Sequence, residues 1–199
     1  MFNFDENYSK LLDIAWKKFI NSQEYDYSSI RPEILESWKR SRAFSVDPIH
    51  SKTTILTPEE LNSRINSNLL LLNTARPYME KLYSIVEGSS SYLLIADKDG
   101  YILDMIGDKD IIEKGKDTQL VIGANRSERY AGTNAIGTCL ELKKPIQMWD
   151  GEHYVLPHKE FSCSSAPIFD SNNNLLGCLN ITGSKAEIHT HTLGMVSSA

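Results

Sequence analysis

The residues best suited to chemistry fall in three stretches. Ser127-Glu128 leads into Gly132-Thr133-Asn134-Ala135-Ile136-Gly137-Thr138, Glu152-His153-Tyr154 follows, and Phe161-Ser162-Cys163-Ser164-Ser165-Ala166-Pro167-Ile168 closes the set. Gly132 and Gly137 let the backbone approach a neighbour closely, and Thr133, Asn134 and Thr138 place short hydroxyl and amide groups beside them. This composition suits the wall of a small pocket. It also suits a tight turn ahead of a helix running through Leu142, because Thr133 or Asn134 makes a good N-cap.

Metal chemistry and nucleophilic catalysis are the other readings to weigh. Glu152, His153, His158, Cys163 and Cys139 carry ligand atoms, but zinc or iron needs three or four of them to converge, and the spacing does not force that. There is no Cys-x-x-Cys pair, and His189 and His191 are two apart. No metal and no cofactor is expected; His153 reads as a loop histidine bonded to a backbone carbonyl or to an adjacent pocket. A reactive thiolate needs a nearby cation or helix N-terminus and a resolving partner. Cys139 falls inside the expected helix, and Cys163 has no evident partner; it either touches a ligand or an oxidant, or is a small core residue. Neither a nucleophile elbow nor a phosphate-binding Gly-x-x-x-x-Gly-Lys-Ser/Thr loop is present.

In their order and identity these stretches, together with Thr182-Gly183, resemble the sensory GAF domain of the acetoin-regulator family, which are sigma-54-dependent bacterial transcriptional activators. The resemblance extends upstream to Arg31-Pro32-Glu33-Ile34 with Ser37-Trp38 and downstream to His191-Thr192-Leu193-Gly194, from about residue 30 to the end. At Arg126 the sequence departs from the pattern, since the family usually has an aromatic there. The resemblance implies an α+β fold in α/β/α layers: an antiparallel sheet with a ligand pocket on one face and packed helices, including the long N-terminal one, on the other. Some GAF domains reduce free methionine sulfoxide with pocket cysteines; without a resolving partner for Cys163, that activity ranks below sensing.

Composition narrows the classes. The 199 residues allow one globular domain with a helical extension, and 41% hydrophobic with 24% charged residues is ordinary for a folded soluble protein. A net charge of -5 without basic clusters argues against direct nucleic-acid contact by this chain. Three cysteines without paired spacing suit a reducing cytoplasm, and Asp5 and Glu6 stand where an export signal would be apolar. Leu69 to Leu72 and Tyr92 to Ala96 are far too short to span a membrane.

The elements that must position the three stretches are legible from periodicity. Tyr8, Leu11, Leu12, Ala15, Trp16 and Phe19 share one face of a helix that needs a partner, and Pro32 opens a second helix with Ile34, Leu35 and Trp38 on its apolar face. Thr57-Pro58-Glu59-Glu60 starts a third. Its seam of Leu61, Ile65, Leu69, Leu72, Ala75, Met79, Leu82 and Val86 approaches a heptad repeat, suited to an intramolecular hairpin or to a dimer, with Pro77 expected to kink or divide it near Arg76. Ser91 to Ala96 and Tyr101 to Ile106 form a hairpin over Asp97-Lys98-Asp99-Gly100; Asp108 to Lys116 is a short helix or loop; Ile146 to Trp149 is a third strand. Phe161 to Phe169 and Leu175 to Thr182 form a second hairpin. With Phe169 opposite Leu175, Cys163 shares a face with Phe169, Leu175, Leu179 and Ile181, while Cys178 lies with Ala166, Ile168 and Leu176 on the other, so these two cysteines should not pair.

The expected organisation is a helical extension over 1–56, a linking and dimerisation helix over 57–88, the sensory domain over 89–187 and the start of a signalling helix over 188–199, cut off before the next module. Ile188, Thr192, Met195 and Ala199 would stack along that last helix. The reading is a dimeric, cytoplasmic, small-molecule-sensing domain that reaches sigma-54 polymerase only through an ATPase and a DNA-binding module absent from this chain. Thr133, Asn134 and Thr138 would offer short polar groups, Trp149 an aromatic wall, Glu152 and His153 a charged or switchable contact, and Cys163 a small wall residue. The alternative is a protein-interaction module with an empty pocket and a helical face that binds a regulatory partner.

Overall fold

A computed structural model describes residues 6–184 and 191–198. Its centre is a five-stranded antiparallel sheet in the order β2-β1-β5-β4-β3, built from β1 (Ser91–Asp97), β2 (Ile102–Gly107), β3 (Ile146–Met148), β4 (Phe161–Phe169) and β5 (Leu175–Ser184). Both faces are covered, which accounts for the continuous burial of β1 and the near-continuous burial of β5.

One face carries Leu93, Ile95, Ala166, Leu179 and Ile181 and packs against α4 (Leu69–Val86) and α8 (Thr192–Ser197). The other carries Tyr92, Leu94, Cys163, Cys178, Asn180, Thr182 and Met148. Over it lie α5 (Lys109–Asp117), α6 (Glu128–Ala131) and α7 (Ala135–Leu142), and outside these the N-terminal helices α1 (Glu6–Ile20) and α2 (Pro32–Ala43). The partner that α1 requires is the loop after β3: Trp16 Nε1 donates to Tyr154 O at 2.8 Å, and Leu12, Ala15 and Phe19 are buried there. The first two helices thus share one continuous core with the sheet.

Two expectations are corrected. The helix beginning at Pro58 is not divided at Pro77. A capping box between Thr57 and Glu60 starts α3 (Pro58–Ser67), which ends at Asn68, where the side chain turns back onto Arg64 O at 2.8 Å; α4 then runs through Pro77 unbroken. The break shifts the buried seam, so Leu71 is buried and Leu69 is 48% exposed, while Ala75 and Met79 stay inside. The second correction concerns the β4–β5 hairpin. Phe169 does face Leu175, but a bulge then pairs Ile168 with Gly177, so Leu176 is the extra residue. One residue of slip exchanges the faces. Cys163 and Cys178 therefore lie on the same face, four rungs apart, and Cys178 meets Cys139 of α7 instead. All three cysteines are free and buried. Ile188, His189 and Ala199 lie outside the described residues.

Candidate functional site

Gly132, at φ +66° and ψ -169°, takes a conformation that side chains exclude, and it turns the chain from α6 into Thr133 and Asn134. Asn134 is the N-cap of α7: its Oδ1 accepts from Ile136 N and Gly137 N, both at 3.1 Å, while its Nδ2 donates to Arg126 O and Gly132 O, both at 2.8 Å. Its amide is fully used. Turn and pocket wall, the two readings of this stretch, coexist, because the same residue borders an internal hollow.

That hollow lies between the sheet and the α6–α7 segment, lined by Leu120, Arg126, Asn134, Ala135, Ile136, His153, His158, Phe161, Cys163, Asn180 and Thr182. The free volume left among these side chains is about 10 Å³, room for about one water. Much of its polar wall is hydrogen-bonded. Cys163 Sγ is 3.3 Å from Thr182 Oγ1 and 3.8 Å from His153 Nε2, and His153 Nδ1 is 3.2 Å from Asp150 O. Asn180 donates to Thr182 Oγ1 at 2.7 Å and accepts from Ser165 at 2.9 Å. Ser51 Oγ donates to Thr118 O at 2.8 Å, so it accepts from His158 Nε2–H at 3.0 Å and leaves Nδ1 to receive Arg126 Nη2 at 3.2 Å. Burial is the main cause of every shift here: it pushes His153 down to about 4, His158 well below its ordinary range, and the Cys163 thiol up to about 11.

The expected site residues divide. Asn134, His153 and Cys163 line the hollow. Thr133 and Thr138 face α2: Ser37 Oγ lies 2.7 Å from Thr133 Oγ1 and donates to Glu128 Oε1 at 2.5 Å, Thr138 donates to the same oxygen at 2.8 Å, and Arg40 grips Glu128 through Nε and Nη2 at 2.5 and 2.9 Å. Glu152, fully buried, pairs with Arg31, whose Nε and Nη2 donate at 2.7 and 2.6 Å, and accepts from Tyr8 at 3.1 Å and Trp149 N at 2.9 Å. Burial acts on the Glu152 carboxyl more strongly than Arg31 does and holds it above its usual range. Trp149 is half-buried beside this pair, outside the lining. The motif thus serves two purposes, bordering the hollow and fastening α1 and α2 over it. Sequence reasoning missed Asn180, Thr182, His158 and above all Arg126 as lining. The signal for Arg126 was a charge standing where the family pattern has an aromatic.

Gly137 brings α7 against the strand of chain that carries Arg126. A Cβ there would sit 2.6 Å from Arg126 O and 2.7 Å from Glu128 N, both backbone atoms that no rotamer change can move. Gly137→Ala should therefore cost about 1–3 kcal/mol by overpacking, as read in urea unfolding, even though alanine favours helix; an unchanged midpoint would contradict this packing.

On the opposite face an apolar groove of about 410 Å³ runs between α4 and the β4–β5 hairpin, with Leu70, Ala75, Tyr78, Ile168, Leu176 and Val196 in its walls. Among the described residues, no three His, Cys, Asp or Glu side chains are grouped to hold a metal ion.

Residues 12–198 match the family described as MimR, N-terminal domain. The chain is 38% identical over 178 residues to a signal-transduction and transcriptional-control protein of Clostridium beijerinckii, covering 89% of this chain and 28% of that protein. It is 33% identical over 185 residues to the acetoin dehydrogenase operon transcriptional activator AcoR of Bacillus subtilis, covering 92% and 31%. Both relatives are named as transcriptional regulators, not enzymes, and the chain spans less than a third of the length of either. The solved Escherichia coli DhaR(N)–DhaL complex contains a chain of the same GAF-like α+β fold, with a TM-score of 0.80 at 17% identity over 84% of this chain and 58% of that one. The match over nearly the whole chain settles its membership: this protein belongs to the MimR N-terminal domain family.

Proposed function

We propose that this chain is the small-molecule-sensing regulatory domain of a sigma-54-dependent transcriptional activator, cytoplasmic and dimeric, whose ATPase and DNA-binding regions lie in other parts of the protein. The observation that carries the reading is the hollow of mixed polarity on one sheet face, whose wall is joined to the N-terminal helices. Arg126 and Asn134 border it, and Glu128, two residues from Arg126, is held by Arg40 and Ser37 of α2. A ligand that displaces the wall must also strain this network, and it shifts the helices only by its difference in affinity for the two arrangements. In the conformation described, the lining side chains close the hollow, so binding requires one or more of them to swing aside.

A dimer is suggested by the outer face of α4, where Leu70, Tyr78 and Ile85 are 70%, 50% and 64% exposed at helical spacing. A monomer in light scattering at tens of micromolar would count against it. Among the described residues no helix is long and apolar enough to cross a membrane. The second reading, a protein-interaction module, draws on the apolar groove beside α4 and on the fact that the solved relative is a complex of DhaR(N) with DhaL. Thermal denaturation against a metabolite panel separates the two. One metabolite that raises the melting temperature in a saturable way supports sensing. No shift with any metabolite, together with tight binding of a partner protein, supports the module.

A further inference from the structure

Resting on the sensing reading, we infer that the ligand of the hollow is a short-chain monocarboxylate whose negative charge is taken by the buried guanidinium of Arg126. Arg126 is 1% exposed and lines the hollow. Its Nη2 meets the neutral ring of His158, but among the described residues Nε and Nη1 have no hydrogen-bond partner, leaving three N–H groups without a protein acceptor in a buried site. A buried cation in that condition is costly, and buried charges in folded proteins are normally paired.

Among the described residues, no group supplies the missing charge. The nearby carboxylates are committed elsewhere, Glu128 to Arg40 and Glu152 to Arg31. Besides burial, the groups acting on the Arg126 charge are Tyr92 and Cys163, and burial keeps both neutral near pH 7. His153 and His158 are neutral there for the same reason. Burial lowers Arg126 itself only to about 10, so it remains a cation at neutral pH.

The chemistry around it selects the class of anion. One guanidinium balances one negative charge, whereas a phosphate dianion would leave a net charge in the same buried site. A carboxylate presents planar acceptors to the guanidinium fork. Leu120, Ala135, Ile136 and Phe161 complete the lining with apolar surface for a short carbon chain. The closed hollow has room for about one water, so the anion enters only as lining side chains swing aside.

The test is thermal denaturation of the whole chain, in a buffer free of small organic acids, with acetate, propionate, lactate and pyruvate and with the corresponding neutral amides. At least one carboxylate should raise the melting temperature saturably while its amide does not. Arg126→Met should weaken that binding roughly tenfold to a hundredfold, the worth of a charged hydrogen bond. It should also raise the melting temperature of the unliganded protein, since an unpaired buried charge is removed at similar volume. Arg126→Lys should keep part of the carboxylate response. Equal stabilisation by acid and amide, or a carboxylate response that survives in Arg126→Met, overturns the inference. So does the absence of any carboxylate response in the wild type, whatever the variants do. In each case a neutral metabolite that stabilises the protein would leave the sensing reading standing, so the two failures are distinguishable.

Discussion

Arg31→Ala should destabilise the protein by about 3–5 kcal/mol, the cost of breaking a buried ion pair by removing one partner. Arg31 precedes α2, and its guanidinium reaches across to Glu152, donating twice to the carboxylate and once to Gln147 O at 2.7 Å. Glu152 is fully buried, so without Arg31 it keeps, among the described residues, Tyr8 and Trp149 N to stabilise its charge. Burial already lifts its carboxyl above the ordinary range, and in the variant, without the opposing effect of Arg31, it should rise further. Trp16 and Trp38 also dock on this loop, Trp38 Nε1 donating to Glu152 O at 2.7 Å, so loosening of α1 and α2 should show in tryptophan fluorescence during urea unfolding. Replacing both partners with neutral groups, as in Arg31→Met with Glu152→Gln, should cost less than the single change, because no buried charge is left alone. A loss below about 1 kcal/mol for Arg31→Ala, the range of an exposed pair, would show that this contact does not hold the helices.

The same pair marks where sequence reasoning stopped. Local signals were readable because local physics sets them. Thr57 and Glu60 cap α3, Asn134 caps α7, and the Asp170 carboxylate closes the β4–β5 turn by accepting from Asn172 N and Asn174 N, both at 2.8 Å. The apolar stripes of α1 and α2 were legible for the same reason. Partners more than a hundred residues apart were not, since nothing in the spacing of Arg31 and Glu152, or of Ser37 and Thr138, requires them to meet. Glu152, Thr133 and Thr138 therefore read as pocket groups when they fasten helices. The hairpin faces were misread because a bulge is one residue of slip that alternation in the sequence does not reveal. Arg126 was visible as an odd charge, but its lack of a partner is a property of the folded interior alone.

Acidification should destabilise this protein well above the pH at which carboxylates titrate. His153 is held down to about 4 and His158 well below its ordinary value, in both cases first by burial, with Arg126 adding to the depression. A base whose folded pKa is lowered contributes stability that is complete above its unfolded value of about 6.5 and is lost as the pH falls toward the folded one. For His153 that loss is about 2 kcal/mol between pH 7.5 and 5, and His158 adds to it in the same direction. Glu152 works the other way, because a carboxyl raised by burial gains stability as the pH falls through its folded value, but it is one group against two. Urea midpoints measured across this window should fall steadily, and His153→Asn, which keeps a donor for Asp150 O, should flatten the slope. A wild-type midpoint that stays constant from pH 7.5 to 5 would contradict the burial of both rings. Because Arg126 contributes to both depressions, Arg126→Met should also reduce the slope. An anion seated against the guanidinium should do the same, by making each imidazolium less costly. Arg126 thus adds to the acid sensitivity that burial creates and is the group proposed to take the ligand's charge, so one pH series on the wild type and Arg126→Met tests both.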